Sequence, residues 1–92
     1  MLHIIQTRQG FNTALPYLQA TDCILLTGDA CYSLIDASLW SQLAMYQAQV
    51  YALSPDVQAR GIKQDVLQPK QLIDFKQFVE LTVQEDKSTT WS

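Results

Sequence analysis

The chain has 92 residues, of which 48% are hydrophobic and 16% charged, and its formal net charge is −3. This length and composition predict one globular domain over 1–92 and exclude a disordered chain. The six lysines and arginines are scattered, whereas non-specific DNA binding uses about 6–10 phosphate contacts, so no direct nucleic-acid binding is expected. No apolar run approaches the roughly 20 residues of a membrane span, and the start carries no basic leader. We therefore expect a cytoplasmic protein with reduced thiols and no membrane contact.

The first half of the chain alternates apolar runs with helical patterns. The runs 2–5 and 23–27 have the continuous apolar character of buried strands. Between them, Gly10 and Asn12 mark a predicted loop, and a helix over 13–19 follows with Thr13 as its cap. A short helix over 30–35 and a second helix over 38–46 follow the second strand.

The second half repeats this alternation. The run 49–53 is a third strand, and Ser54 followed by proline is a strong helix start. A fourth strand over 71–73 leads to Asp74, which is predicted to cap a helix with an apolar face of phenylalanine and valine. The remaining segment 85–92 is a predicted C-terminal tail, of which 85–90 is predicted to be polar and frayed.

Short strands that alternate with helices are typical of βαβ units. We therefore predict an α/β fold: a single small domain of about four mainly parallel strands with helices on both faces. The sequence has neither a glycine-rich dinucleotide motif nor a phosphate-binding loop. One histidine and two cysteines, without a Cys-x-x-Cys pair, predict no metal or cofactor, and His3 is interpreted as a strand histidine with a satisfied hydrogen bond.

The two cysteines are the only candidates for covalent chemistry. Cys23 opens an apolar strand, where a buried thiol packs as a small hydrophobe and is inert. Cys31 follows the carboxyl end of the second strand at a helix start, a position that lowers a thiol pKa, although Asp29 opposes that shift. Cys31 is the candidate sulfur carrier, and the alternative is a packed residue at the helix start.

Trp91 lies beyond the polar tail, where it has little local core to join. It either folds back on its own domain or anchors a partner chain, as tryptophan often does at interfaces. The charged fraction of 16% is below the usual quarter, which indicates that another chain covers part of the surface. Trp91 is therefore a candidate interface residue.

Four features that together span nearly the whole chain resemble the TusB/DsrH family. They are the opening Met1-Leu-His3, the block Val50-Tyr-Ala-Leu-x-x-Asp-Val-x-Ala-Arg-Gly61, the block Ile73-Asp-Phe-x-x-Phe-Val-x-Leu-Thr82, and the trailing Trp91. None is a catalytic signature, so the match rests on their order and spacing. The chain departs from TusB-like members at the turn Gly28-Asp-Ala30, where they tend to have Asp-Gly, so no function is carried over to that turn.

The resemblance implies a small α/β subunit that assembles with TusC-like and TusD-like chains into a heterohexamer with two copies of each. Such complexes relay persulfide sulfur. In the TusB branch, sulfur passes from a TusA-like donor through the TusD-like cysteine to a TusE-like carrier, and it ends in 2-thiolation of the wobble uridine of tRNA. In the DsrH branch, the complex serves sulfur oxidation with a cysteine near the first helix. Neither Cys23 nor Cys31 falls in that region, which favours the TusB branch.

The leading hypothesis is therefore a non-catalytic subunit of a cytoplasmic sulfur-relay complex for tRNA thiolation. One alternative is a persulfide carrier that uses Cys31. Another is a free-standing homo-oligomer that binds a small ligand, which a fold alone does not exclude.

Overall fold

A computed structural model describes residues 1–43, 45–46 and 49–92. Within these residues, the strands are β1 (Leu2–Ile5), β2 (Cys23–Leu26), β3 (Val50–Leu53), β4 (Leu72–Ile73) and β5 (Ser88–Trp91). All neighbouring strands are parallel, in the order β4-β3-β2-β1-β5. The predicted α/β class with a parallel sheet is confirmed, and the described sheet has five strands where about four were expected.

Four α-helices and three short 3₁₀ helices connect the described strands. The α-helices are α1 (Arg8–Ala14), α2 (Ala37–Ser41), α3 (Ser54–Ala59) and α4 (Phe75–Gln84), and the 3₁₀ segments are Leu15–Tyr17, Gly28–Ile35 and Pro69–Gln71. No helix among the described residues is long and apolar enough to cross a membrane.

The first helix begins earlier than predicted. Its cap is Thr7, whose hydroxyl accepts the backbone N–H of Gly10 at 2.8 Å, and the predicted cap Thr13 lies inside the helix. Gly10 was interpreted as part of a loop. In the structure it lies within α1, where a Cβ atom would come 2.7 Å from the carbonyl oxygen of Trp91. This glycine is therefore required for close approach of α1 to β5 and not for a turn.

The helices that follow β2 also differ from the prediction in where they begin and end. The predicted helix over 30–35 is a 3₁₀ helix that begins two residues earlier, at Gly28. Asp36, and not Ser38, caps α2, because its carboxylate accepts the backbone N–H groups of Ser38 and Leu39 at 3.0 and 3.2 Å. The helix predicted over 38–46 ends at Ser41 in the structure, and Ala44 in that prediction lies outside the described residues.

The predicted frayed tail is wrong for its last part, because Ser88–Trp91 forms β5 beside β1. The backbone N–H of Leu2 donates to the carbonyl of Lys87, and that of Gln6 donates to the carbonyl of Trp91, both at 2.9 Å. The segment is polar because it forms an exposed edge strand, and such a strand lacks the apolar alternation by which strands are recognised.

The final helix begins as predicted. The carboxylate of Asp74 accepts the backbone N–H of Gln77 at 2.8 Å, and the side chain of Gln77 accepts the backbone N–H of Asp74 at 3.0 Å. This reciprocal capping box satisfies two donors that a helix start leaves without intrahelical partners.

The two faces of the sheet are covered unequally. The larger core cluster includes side chains from α1, the 3₁₀ helix Gly28–Ile35, α2 and α3 on one face. The smaller cluster on the other face is covered by α4 through Phe78 and Leu81, and its buried members are Leu2, Leu25, Leu53 and Ile73. Among the described residues, α4 has no buried residue of its own, so one outer side of this helix faces away from the core.

Candidate functional site

A buried hydrogen-bond network joins β1, the loop before β2, and β5. Nδ1 of His3 lies 3.0 Å from the indole nitrogen of Trp91, and its Nε2 lies 2.8 Å from a carboxylate oxygen of Asp22. An indole nitrogen can only donate, so Nδ1 accepts that bond and the proton of the neutral ring is on Nε2. His3 is 1% exposed and Asp22 is 5% exposed. The predicted strand histidine with satisfied hydrogen bonds is confirmed.

Asp22 accepts donors from several parts of the chain. Besides the bond to His3, its carboxylate accepts the backbone N–H of Gln19 at 2.9 Å and lies 3.4 Å from the N-terminal ammonium of Met1. Burial raises the pKa of Asp22, but these hydrogen bonds outweigh burial and lower the pKa below its ordinary value. The sequence patterns did not identify Asp22 as a site residue. The position of this acidic residue next to an apolar run is a signal of a special role, but it does not identify His3 as the partner of Asp22.

Trp91 folds back on its own domain. Its indole stacks on the ring of Tyr17, with ring centroids 5.5 Å apart and an interplanar angle of 25°. Tyr17 is 64% exposed, so this aromatic pair forms part of the surface above the buried His3. Of the two roles open for Trp91, the structure shows the intramolecular one, and its role as an interface residue stays a prediction.

The carboxyl edge of the sheet is closed by the protein's own side chains. The backbone N–H of Gly28 donates to the carboxylate of Asp56 at 2.7 Å. Arg60 donates to the carboxylate of Asp29 at 3.0 Å and to the carbonyl of Asp56 at 3.3 Å. Parallel α/β sheets bind ligands at this edge, often through backbone N–H groups. Here the carboxylate of Asp56 already accepts the N–H of Gly28.

Cys31 is packed inside the domain. Its side chain is 0% exposed, and Sγ lies 3.5 Å from the carbonyl oxygen of Leu26. Burial, with a further contribution from the carboxylates of Asp56 and Asp29, raises the pKa of Cys31 to about 12, despite the opposing charge of Arg60. The helix starts three residues before Cys31, so the thiol does not lie at the helix N-terminus that would have lowered its pKa.

Cys23 lies on the opposite face of the sheet and is half-buried. Burial and the neighbouring carboxylate of Glu85 raise the pKa of its thiol to about 11. Both thiols are therefore protonated at neutral pH, whereas nucleophilic attack requires the thiolate.

The outer side of α4 carries three apolar side chains four residues apart. Phe75, Val79 and Val83 are 59%, 60% and 78% exposed. Residues at this spacing lie on one face of a helix. The sequence predicted one apolar face with Phe75, Phe78 and Val79. Of these, Phe78 contacts the core, together with Leu81, whereas Phe75 and Val79 are exposed. The helix therefore has two apolar sides, of which the outer one, called here the α4 stripe, is uncovered in the isolated chain.

An open groove of about 590 Å³ lies between α2 and the segment 63–66, lined in part by Ile35, Trp40 and Val66. Neither cysteine nor His3 lines it. Across the described residues, no group of three or more histidine, cysteine, aspartate and glutamate side chains is placed to hold a metal ion.

Together, the fold and these sites define a small parallel α/β domain with inert thiols and one uncovered helix face. Residues 6–88 match the family model described as DsrH like protein, and the chain belongs to this family.

Relatives extend over nearly the whole chain. It is 34% identical over 82 residues to "Protein TusB" of Photorhabdus laumondii, which covers 88% of this chain and 86% of that protein. It is 32% identical over 95 residues to "Protein TusB" of Escherichia coli, covering 99% of this chain and all of that protein, and 28% identical to that of Pectobacterium atrosepticum at the same coverage.

Proposed function

We propose that this chain is a non-catalytic subunit of a cytoplasmic sulfur-relay complex that supplies sulfur for 2-thiolation of the wobble uridine in tRNA. Its partners are TusC-like and TusD-like subunits, in a heterohexamer with two copies of each. Family membership and the relatives that carry the name TusB support the relay role. The observation that carries the non-catalytic part is the complete burial of Cys31, whose protonated thiol has no exposed surface on which to receive sulfur.

The α4 stripe is the proposed contact to a neighbouring subunit. Phe75, Val79 and Val83 each leave more than half of their surface in water, and apolar side chains gathered on one face typically mark a protein interface. A partner that covers these side chains removes apolar surface from water, which stabilises the association by about 25 cal/mol for each Å² buried. The low charge content of the chain agrees with a domain that is partly covered in its working state.

Co-expression with the TusC-like and TusD-like chains of the same source tests this proposal. We expect a stable complex that contains this chain in equal proportion to both partners after size-exclusion chromatography. Native mass spectrometry measures the copy number of each chain. If all three chains are folded, as measured by circular dichroism, and this chain elutes alone, the proposal is wrong. Elution of this chain as a homo-oligomer under those conditions would instead support the free-standing ligand-binding alternative.

A further inference from the structure

Among the described residues, the segment from α4 to β5 is attached to the domain without a buried residue of its own in either element. β5 is held by its ladder to β1 and by the hydrogen bond from the indole of Trp91 to His3. Segments with few buried contacts open locally at a lower free energy than the core. Trp91 also packs against the larger core cluster and stacks on Tyr17, and among these contacts the hydrogen bond to His3 is the one that depends on the protonation of a side chain.

The bond between His3 and Trp91 requires a neutral histidine ring. Nδ1 of His3 accepts the indole N–H of Trp91 at 3.0 Å, so this nitrogen has no proton. A proton added to Nδ1 would place two N–H donors against each other. Histidine is the side chain whose ordinary titration lies between pH 5 and 8.

Protonation of His3 leaves its other hydrogen bond, from Nε2 to Asp22, intact. Nε2 of His3 donates to Asp22, and a charged imidazolium makes this bond stronger because both partners are then ionised. The ammonium of Met1 also faces this carboxylate, at 3.4 Å, and Tyr17 is the titratable group stacked against Trp91. Protonation of the ring therefore affects one contact selectively: it keeps the bond to Asp22 and removes the bond to Trp91.

We propose that the hydrogen bond between His3 and Trp91 is an acid-sensitive latch. Protonation of His3 breaks the indole bond and releases β5 from the edge of the sheet, while β1, β2, β3 and β4 stay paired. The released state exposes the backbone edge of β1, which parallel pairing with β5 otherwise covers. This proposal concerns the folded chain alone and is independent of the proposed complex.

Amide hydrogen exchange measured by NMR provides the test, with reporters on both sides of β1. The N–H groups of Leu2 and Gln6 donate to carbonyls of Lys87 and Trp91, so they report the pairing with β5. The N–H groups of Cys23 and Thr27 donate to carbonyls of Met1 and Ile5, so they report the pairing of β1 with β2 and serve as the internal control.

Between pH 7.5 and 5.5, we expect the protection factors of Leu2 and Gln6 to fall about tenfold relative to those of Cys23 and Thr27, as for loss of one hydrogen bond. The indole N–H of Trp91 should lose its protection over the same range. An unchanged ratio in the wild-type chain would overturn the proposal, as would a parallel loss at all four amides, because that indicates general unfolding.

Two variants separate the latch from other effects of acid. In His3→Asn, the amide oxygen can accept the indole N–H but cannot be protonated, so we expect no change in the ratio with pH. In Trp91→Phe, the aromatic ring remains and the donor is lost, so the ratio should already be low at pH 7.5 and should not respond to acid. If Trp91→Phe retains the acid response of the wild type, the proposed latch does not exist. This variant tests the proposal even if His3→Asn does not fold.

Discussion

Replacing Asp22 with alanine is expected to lower the free energy of unfolding by about 3 kcal/mol, because a buried donor left without an acceptor costs about 1–3 kcal/mol and further contacts of the carboxylate are lost with it. The change leaves Nε2–H of the buried His3 without an acceptor and also removes the acceptor of the part-buried N–H of Gln19. Domains of this size have a total stability of about 5–15 kcal/mol, so the effect is large. Urea denaturation followed by circular dichroism measures it.

Two further comparisons make the Asp22 result specific. Asp22→Asn keeps one acceptor oxygen for His3 and should cost about 1 kcal/mol, because the charge and the oxygen that faces the ammonium of Met1 are lost while the buried donor stays satisfied. Asp65→Ala removes an exposed carboxylate and should stay within about 0.5 kcal/mol of wild type. An Asp22→Ala chain as stable as the Asp65→Ala control would contradict the role assigned to the buried network.

The destabilisation by Asp22→Ala should also depend on pH with a defined sign. The folded state lowers the pKa of Asp22 from its ordinary value of 3.8, so the ionised carboxylate stabilises the fold. This contribution is fully present above the unfolded pKa and is lost as the pH falls through the folded pKa. The difference between wild type and Asp22→Ala should therefore be full at neutral pH and shrink below about pH 4.

Replacing Val79 with aspartate is expected to abolish assembly with the TusC-like and TusD-like partners while the chain itself stays folded. Val79 is 60% exposed, so the stability of the isolated domain should change by less than about 0.5 kcal/mol. In an interface, the same carboxylate is buried without a partner, which costs several kcal/mol. The affinity should then fall by about 100-fold or more, since about 2.7 kcal/mol corresponds to that factor.

Ile35→Asp is the matched control for Val79→Asp, because Ile35 is an exposed apolar residue of similar exposure, 57%, outside the α4 stripe. We expect Ile35→Asp to assemble as wild type does, measured by co-purification and by sedimentation. Equal loss in both variants would show that exposed apolar residues in general, and not the α4 stripe, determine the association. Normal assembly of Val79→Asp would contradict the assignment of this helix face as the interface.

The parallel sheet could be predicted from the sequence because its central strands are apolar on both faces. The runs that contain Ile24 and Val50 are continuous and bounded by turn residues, which is the pattern of a strand between two layers. β5 could not be predicted in this way, since Ser88, Thr89 and Thr90 are polar at an exposed edge. The start of α1 was misplaced because Gly10 was interpreted as a turn residue, whereas it permits close approach of α1 to the carbonyl of Trp91.

The site was less predictable than the fold because its contacts join residues that are distant in the chain. His3 and Trp91 are 88 positions apart, and the contact between them depends on where β5 is placed. Cys31 was a candidate carrier because the sequence placed it at a helix start near an edge where ligands bind. Packing buries Cys31 and brings Asp56 of α3 close to it. Spacing along the chain shows neither of these effects.

The most direct test of the central claim is sulfur transfer through a complex whose copy of this chain carries neither thiol. The variant Cys23→Ala/Cys31→Ala is assembled with the TusC-like and TusD-like subunits, a persulfide-loaded TusA-like donor is added, and intact mass measures sulfur arriving on the TusE-like carrier. We predict the same transfer rate as for the complex with the wild-type chain, because both thiols are protonated at neutral pH. Loss of transfer in a fully assembled complex would contradict the non-catalytic role.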